Sequence, residues 1–463
     1  MKKSLLAVAA IGAFASAAQA QSSVTVYGIL DVGYVGANST VQSGATVGGY
    51  TPAPDNSAYP SSTLKNTQSQ FGQSAEQTSR LGFKGTEDLG GGTSAFFTAE
   101  FGLAPQEQTL SGNTAGGLKN RQTFVGLKKA GLGDAAIGVQ YTPVHIAVGK
   151  TDPGQQNNMT GSVIYTGQAD SGVVGGVAGN ANAYTSRVAN SLTLNTEVIS
   201  GFQAHAIAIL NNANQTAIDA AGTGNVKTGG VNNTNGWGLG ADYTWNKFFI
   251  TANYQSIKQL TAATNYTTYA MTGASAAGAA PGNSQLFATA AATGPAGGCA
   301  GTAIASSTTI VTNGMSISGQ GCNIQDNQGY VGATYDFGIL KAYASWIQRK
   351  ASDTANSAVY QKRSAEQIGV RSFITPTIEG WASAGVGTFT PYGLNQNSAH
   401  FNAWQLGSNY WLSKRTNLYA IYGQYAQGTA AVNIYNTTTG VVTSSPNSSV
   451  NANSYAVGVR HTF

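Results

Sequence analysis

The chain has 463 residues and a formal net charge of +5, and only 9% of its residues are charged. Soluble domains carry roughly 25% charged residues, and disordered chains are rich in charge and Pro but poor in aromatics. With 60 Gly, 11 Pro and 10% aromatics the sequence fits neither class, and so mild a charge excludes a nucleic-acid-binding stripe.

Residues 1–20 read as a secretory signal: Lys2 and Lys3, an apolar run, then Ala18-Gln19-Ala20. The run is too short to span a bilayer as a helix. Cleavage after Ala20 leaves residues 21–463 as one domain with a charge of (23 − 2) − 18 = +3. Beyond it no apolar run approaches the ~18 to 20 residues of a spanning helix, and no capped amphipathic helix is predicted.

What recurs instead is period-two alternation. "SVTVYGILDVGYVG", residues 23–36, puts Val24, Val26, Gly28, Leu30, Val32 and Tyr34 on one face. "SRLGFKG" follows with Leu81 and Phe83 on one face and Arg80 and Lys84 on the other, and "TEDLGGG" turns it into "SAFFTAEFGL". "NRQTFVGLK" meets "DAAIGVQY" through "KAGLG", and "RVANSLTLNT" meets "GFQAHAIAIL" through "EVIS". "GWGLGADYTW" meets "KFFITANYQSI" at Asn246, and "GYVGATYDFG" precedes "LKAYASWIQR". "AEQIGVRSF" and "GWASAGVGTF" flank "ITPTIE", "FNAWQLGSNYW" and "TNLYAIYGQYA" flank "LSKR", and "NSYAVGVRHTF" closes the chain.

One opening strand, seven hairpins of two and one closing strand make sixteen. Short turns alternate with long polar loops, the longest at about 258–326. Strands of ~9 to 11 residues with this alternation are those of an all-β, antiparallel transmembrane barrel with short periplasmic turns and long external loops. Closure would pair the aromatic last strand with residues near 23–35 and remove an otherwise exposed edge. Sixteen strands are too many for side chains to fill the interior, so Arg80 and Lys84 can face water while Leu81 and Phe83 face lipid. Tyr27, Tyr34, Trp237, Tyr243, Trp346, Tyr410, Trp411 and Tyr422 suit interfacial girdles. Cys299 and Cys322 share one loop segment of an exported chain, so a disulfide between them is expected.

The stretches "SSVTVYGILDVGY", "SRLGFKGTEDLGGG", "NRQTFVGLKKAGLGDAAIG", "YWLSKRTNLYAIY" and "SYAVGVRHTF" together resemble the general-diffusion outer-membrane porins of beta-proteobacterial type. The resemblance implies a homotrimer, contact with outer-membrane lipid and lipopolysaccharide, and a terminal Phe463 read by the outer-membrane assembly machinery. It also implies a third external loop, about 142–185, folded into the pore. Arg80 and Arg121 match the basic cluster of the constriction, with Arg187 as a third member. The loop departs from the family by lacking an acidic, aromatic Pro-Glu-Phe-Gly-Gly turn, and offers Asp152, Asp170 and the Gly-rich "SGVVGGVAGN". Lys84 shares the face of Arg80, and Glu100 with Asp152 and Asp170 would be the countercharges. Rings of Arg and Lys favour anions. A water-filled channel for small hydrophilic solutes and ions, with a modest anion preference, is therefore expected.

The other classes are an adhesin or structural barrel with a plugged lumen and an outer-membrane enzyme. His145, His205, His400 and His461 are scattered without metal spacing, "VGKT" lacks the first Gly of a phosphate loop, and no nucleophile elbow stands out. Neither catalysis nor a cofactor is expected.

Overall fold

A computed structural model describes residues 23–43, 62–111, 117–166, 183–217, 228–264, 310–312, 315–317, 322–354, 357–394, 397–428, 431–435, 442–446 and 449–463. The signal segment, Asp170, the Gly-rich run and Cys299 lie outside these residues, so the Cys299–Cys322 pairing does too.

The strands are β1 (Ser23–Ser43), β2 (Ser62–Gln73), β3 (Arg80–Gly90), β4 (Thr93–Gly102), β5 (Lys119–Lys129) and β6 (Gly133–Tyr141). A helix, α1 (Pro143–Thr151), precedes β7 (Arg187–Thr196), β8 (Phe202–Ala217), β9 (Thr228–Trp245) and β10 (Phe248–Thr264). The small hairpin of β11 (Ile310–Thr312) and β12 (Met315–Ile317) leads to β13 (Cys322–Asp336), β14 (Lys341–Asp353), β15 (Val359–Phe373) and β16 (Ile378–Leu394). After β17 (Ala399–Trp411) and β18 (Thr416–Gln427), a hairpin of β19 (Ala431–Tyr435) and β20 (Val442–Pro446) precedes the last strand, β21 (Ser449–Thr462).

The main sheet is antiparallel and closes on itself when β21 pairs with β1 from Ile29↔Thr462 to Gln42↔Ser449. Backbone bonds between Gly28 and Phe463 finish the seam, at 3.1 Å in each direction. The other edge of β1 carries β3 below, from Ser23↔Thr86 to Ile29↔Arg80, and β2 above, from Val32↔Gln73 to Ser43↔Ser62. These two strands share one wall position, so the barrel has sixteen walls. The opening strand, read from the sequence as 23–36, runs on to Ser43, and β2, which that reading did not include, is the upper half of the second wall. The break at 74–79 is held by Asp31, whose carboxylate accepts the backbone N–H of Glu76 (2.8 Å) and Gln77 (2.6 Å) and the Tyr419 hydroxyl (2.6 Å).

Alternation sorts the walls. In β17 the odd positions Ala399, Phe401, Ala403, Gln405 and Asn409 are buried, while His400, Asn402, Trp404, Leu406 and Tyr410 are exposed. On the outer face Tyr34 and Tyr455 lie 6.2 Å apart by ring centroids, Trp404 and Tyr422 lie 5.3 Å apart, and Tyr422 sits opposite Tyr455. Such a belt of amphipathic rings suits a membrane interface. Two of the expected girdle residues point inward instead. The Tyr27 hydroxyl donates to Glu100 (3.1 Å), and Trp411 Nε1 donates to Glu379 (3.3 Å). Each has a buried carboxylate to satisfy, and that partner decides the face.

Inside the barrel runs the segment after β6. It opens with α1, a helix the sequence reading did not expect. The Thr142 Oγ1 accepts the His145 backbone N–H (3.3 Å), and Pro143 occupies the first turn where no donor is needed. Val144, Ala147 and Val148 pack with Tyr330 and Ile347 of the wall, and Val163 and Ile164 pack with Phe389, Phe401 and Tyr425. The segment crosses the lumen because these apolar groups leave water only there.

Four wall glycines make the seat flat enough. A Cβ on Gly423 would lie 1.8 Å from the Thr160 carbonyl oxygen, and one on Gly385 would lie 2.3 Å from a Val163 methyl. Gly332 faces Thr151 at 2.5 Å and Gly369 faces Pro153 at 2.5 Å in the same way.

Candidate functional site: an arginine-lined constriction

Three strands and the inward loop bring three guanidinium groups to one place. Arg80 opens β3 just after the break at 74–79, Arg121 bulges from β5, and Arg187 opens β7. The β-bulge matters, because the register steps from Glu100↔Gln122 to Phe101↔Asn120 and leaves Arg121 without a partner position. All three line a cavity of about 200 Å³ with Tyr141, His145 and Gln156 of the loop region.

The charges around that cavity are unequal. Arg121 Nε donates to Glu100 Oε1 at 2.8 Å, and its Nη2 donates to the Tyr141 hydroxyl at 2.8 Å. Glu100 is also held by Tyr27, so one carboxylate is fully engaged with one arginine and one phenol. Arg80 Nε donates to the Thr78 carbonyl at 2.9 Å, and its terminal nitrogens have no hydrogen-bond partner among the described residues. Arg187 places its guanidinium 5.9 Å from the Tyr141 ring centroid. Three cations thus gather beside one cavity, and among the described residues Glu100 is hydrogen-bonded to one of them.

His145 sits in their midst, its ring 4.3 Å from that of Tyr141. Burial, then the charges of Arg187, Arg121 and Arg80, hold its imidazole well below the usual 6.5. The neutral ring is anchored at Nδ1 by the Tyr184 hydroxyl (3.2 Å) and Gln156 Nε2 (3.3 Å). Burial pushes the Tyr184 phenol well above its ordinary range, so it stays a donor.

Two of the residues expected at the constriction stand elsewhere. Lys84 lies four positions along β3, its Nζ 5.4 Å from the Tyr27 ring centroid, in a separate recess of about 390 Å³ that Lys128 and Asp134 also line. Asp152 ends α1 and is buried under the loop. It accepts from the Gln156 backbone N–H (2.6 Å) and from Gln367 of β15 (3.1 Å), and faces away from the cavity lining. Burial raises its carboxyl above the ordinary 3.8. Glu100 takes part only through Arg121 and Tyr27. Phe463 is at the barrel seam, on the outer face beside His461.

Sequence reasoning missed Tyr141, His145, Tyr165 and Gln156. Thr142-Pro143 was a legible helix start that would have put His145 on the first turn. Nothing local shows that this turn faces Arg80, which is 65 positions upstream.

Comparison with known proteins bears on the family and the fold. A family model described as Gram-negative porin matches residues 7–430. An outer membrane porin protein of Bordetella pertussis is 38% identical over 159 residues, covering 33% of this chain and 37% of that one. Outer membrane porin protein 32 of Delftia acidovorans is 34% identical over 143 residues, covering 31% and 33%. Each alignment spans about a third of the relative's length. Among solved structures, an anion-selective porin from Comamonas acidovorans superposes with a TM-score of 0.56 at 19% identity, covering 96% of this chain and all of that one. The trimer form of OmpT, an outer membrane protein of Vibrio cholerae, superposes with a TM-score of 0.51 at 12% identity, covering 96% and 99%. Those two likenesses speak for the fold. The closed sixteen-walled barrel and the family match over most of its length make this chain a member of the Gram-negative porin family, seated in the outer membrane.

Proposed function

We propose that the chain forms a water-filled channel for passive diffusion of small hydrophilic solutes and ions, with a modest preference for anions, and that it is a channel and not an enzyme. One observation carries this reading: Arg80, Arg121 and Arg187 surround one cavity beside the inward loop, where Glu100 bonds to Arg121. A cationic ring of this kind lowers the barrier to anions and raises it to cations. The effect is moderate, because a wet constriction has an effective dielectric far above that of a dry interior. The porin of similar fold from Comamonas acidovorans is anion-selective, which points the same way.

Single-channel recording in a KCl gradient tests it. A stable conductance with a reversal potential favouring Cl⁻ over K⁺ is expected, and the preference should shrink at high salt as the charges are screened. A closed lumen without stable conductance would favour the adhesin or plugged-barrel reading.

We further read the assembly as a homotrimer embedded among lipid and lipopolysaccharide. Val24, Val26 and Val457, all more than half exposed on the outer face at the seam, support a flat packing wall there. Unheated particles of monomer size in mild detergent would contradict it. Recognition of Phe463 by the assembly machinery predicts that deleting this residue lowers the yield of inserted barrel.

A further inference from the structure

His145 Nδ1 lies within hydrogen-bond distance of two side chains. Gln156 Nε2 (3.3 Å) is an amide nitrogen, a donor without a lone pair to offer, while the Tyr184 hydroxyl (3.2 Å), itself a partner of Gln156 Nε2 at 3.3 Å, can give or accept. The amide contact favours an accepting Nδ1 and so assigns the ring proton to Nε2. Every charged group packed around the ring argues for the neutral form: Arg80 from β3, Arg121 from β5 and Arg187 from β7, with the phenols of Tyr141, Tyr165 and Tyr184 at its faces and edge. Nε2 has no hydrogen-bond partner among the described residues, although the ring lines the cavity.

We propose that His145 is a specificity residue of the constriction, whose Nε2–H acts as an uncharged hydrogen-bond donor that favours oxyanions over halide. This rests on the reading of the constriction as anion-selective. Arginines attract any anion by charge. A directional N–H distinguishes an anion that accepts through a carboxylate or phosphate oxygen from a spherical one, because a hydrogen bond weakens steeply off axis. Neutrality is an advantage here. A fourth cation would deepen the well for all anions alike and slow their exit, whereas conduction needs binding weak enough to leave.

The test is the permeability ratio of acetate to chloride, from reversal potentials of the full-length trimer under biionic potassium salts. H145Q keeps a donor near the Nε2 position; H145F and H145M remove it while filling the space. The ratio should fall about two- to tenfold in H145F and H145M, the worth of one neutral hydrogen bond, and stay within about twofold of the parent in H145Q. Two substitutions of different shape guard against one of them failing to fold. Unchanged ratios in H145F and H145M overturn the proposal. A loss in H145Q as large as in H145F also overturns it, since packing and not the donor would then set the ratio. The parent's own reversal potential in KCl reads the underlying channel assignment separately: no Cl⁻ preference there sinks that reading, and the proposal with it.

Discussion

Two regions of the lumen use arginine in different ways. Away from the cavity three arginines each have a carboxylate. On the far wall Arg349 Nη2 donates to Asp326 at 2.7 Å and Arg371 Nη2 to Glu379 at 2.7 Å, and at the seam Arg460 Nη1 lies 3.4 Å from Glu76. Arg371 also holds the loop in place, its Nη1 donating to the Pro153 carbonyl, and Arg363 of the same wall, stacked over the Phe401 ring with no carboxylate partner among the described residues, donates Nη2 to the Val163 carbonyl. On the near wall Arg80, Arg121 and Arg187 converge on one cavity, with Glu100 bonded to Arg121. A count of basic residues therefore says little about selectivity. What matters is which cations are neutralised within hydrogen-bond distance and which are left facing the opening.

The largest test of this contrast lies on the far wall. Asp326→Ala would take from the fully buried Arg349 the carboxylate it is bonded to. The cost should be about 3–5 kcal/mol, seen as a fall in the temperature at which unheated folded barrel is lost on a gel. The surviving channels should keep the parent's ion preference, because that pair does not line the constriction.

A second test moves the loop itself. Gly423→Ala puts a methyl into the Thr160 carbonyl, so the loop must lift or the wall must bend. Overpacking of this kind costs about 1–3 kcal/mol. Larger single-channel conductance with a weaker Cl⁻ preference is expected, and an unchanged channel would show that the glycine seat does not fix the loop.

Within the near wall the arginines should differ. Arg80→Gln removes a cation whose terminal nitrogens have no partner, and should lower the Cl⁻ preference by a factor of about five, the effect of about 1 kcal/mol at 4 Å in water. Arg121→Gln should shift the reversal potential further, since it also releases Glu100 from its arginine. Equal shifts from the two variants would mean that Glu100 adds no charge to the opening once Arg121 is gone.

The smallest expected effect is on pH. The His145 imidazole is held below 6.5 in the docked loop and returns to the ordinary value when the loop detaches. Its contribution to docking is thus complete above about pH 6.5 and declines as pH falls below that toward the docked value. Asp152 acts in the other sense: its carboxyl is raised, so its contribution is present below about pH 3.8 and lost as pH rises through the raised value. Gating noise that grows on acidification below pH 6 in the parent and flattens in His145→Gln would isolate the imidazole.

How much was legible beforehand follows from the range of each interaction. Arg80, Lys84, Leu81 and Phe83 sorted correctly onto two faces because alternation is a property of one strand. Arg80, Arg121 and Arg187 were matched to one cluster through the resemblance, and their meeting depends on wall order, which the hairpin count supplies. Lys84 could not be separated from Arg80, since only the height of the loop tells which inward cation meets it. Tyr27 and Trp411 went astray because a buried carboxylate on another strand outweighs a ring's usual place at the interface.

Taken alone, the sequence determined the barrel: its sixteen walls, its closing aromatic strand and its polar lumen all come from period-two patterning between neighbours in the chain. The tertiary structure decided the constriction. Where the loop lands depends on glycines at 332, 369, 385 and 423, on the apolar wall they interrupt, and on His145 meeting residues 65 positions before it and 42 after. Contacts of that separation leave no periodic trace, because each is fixed by the shape of the closed wall and by no local preference of the chain.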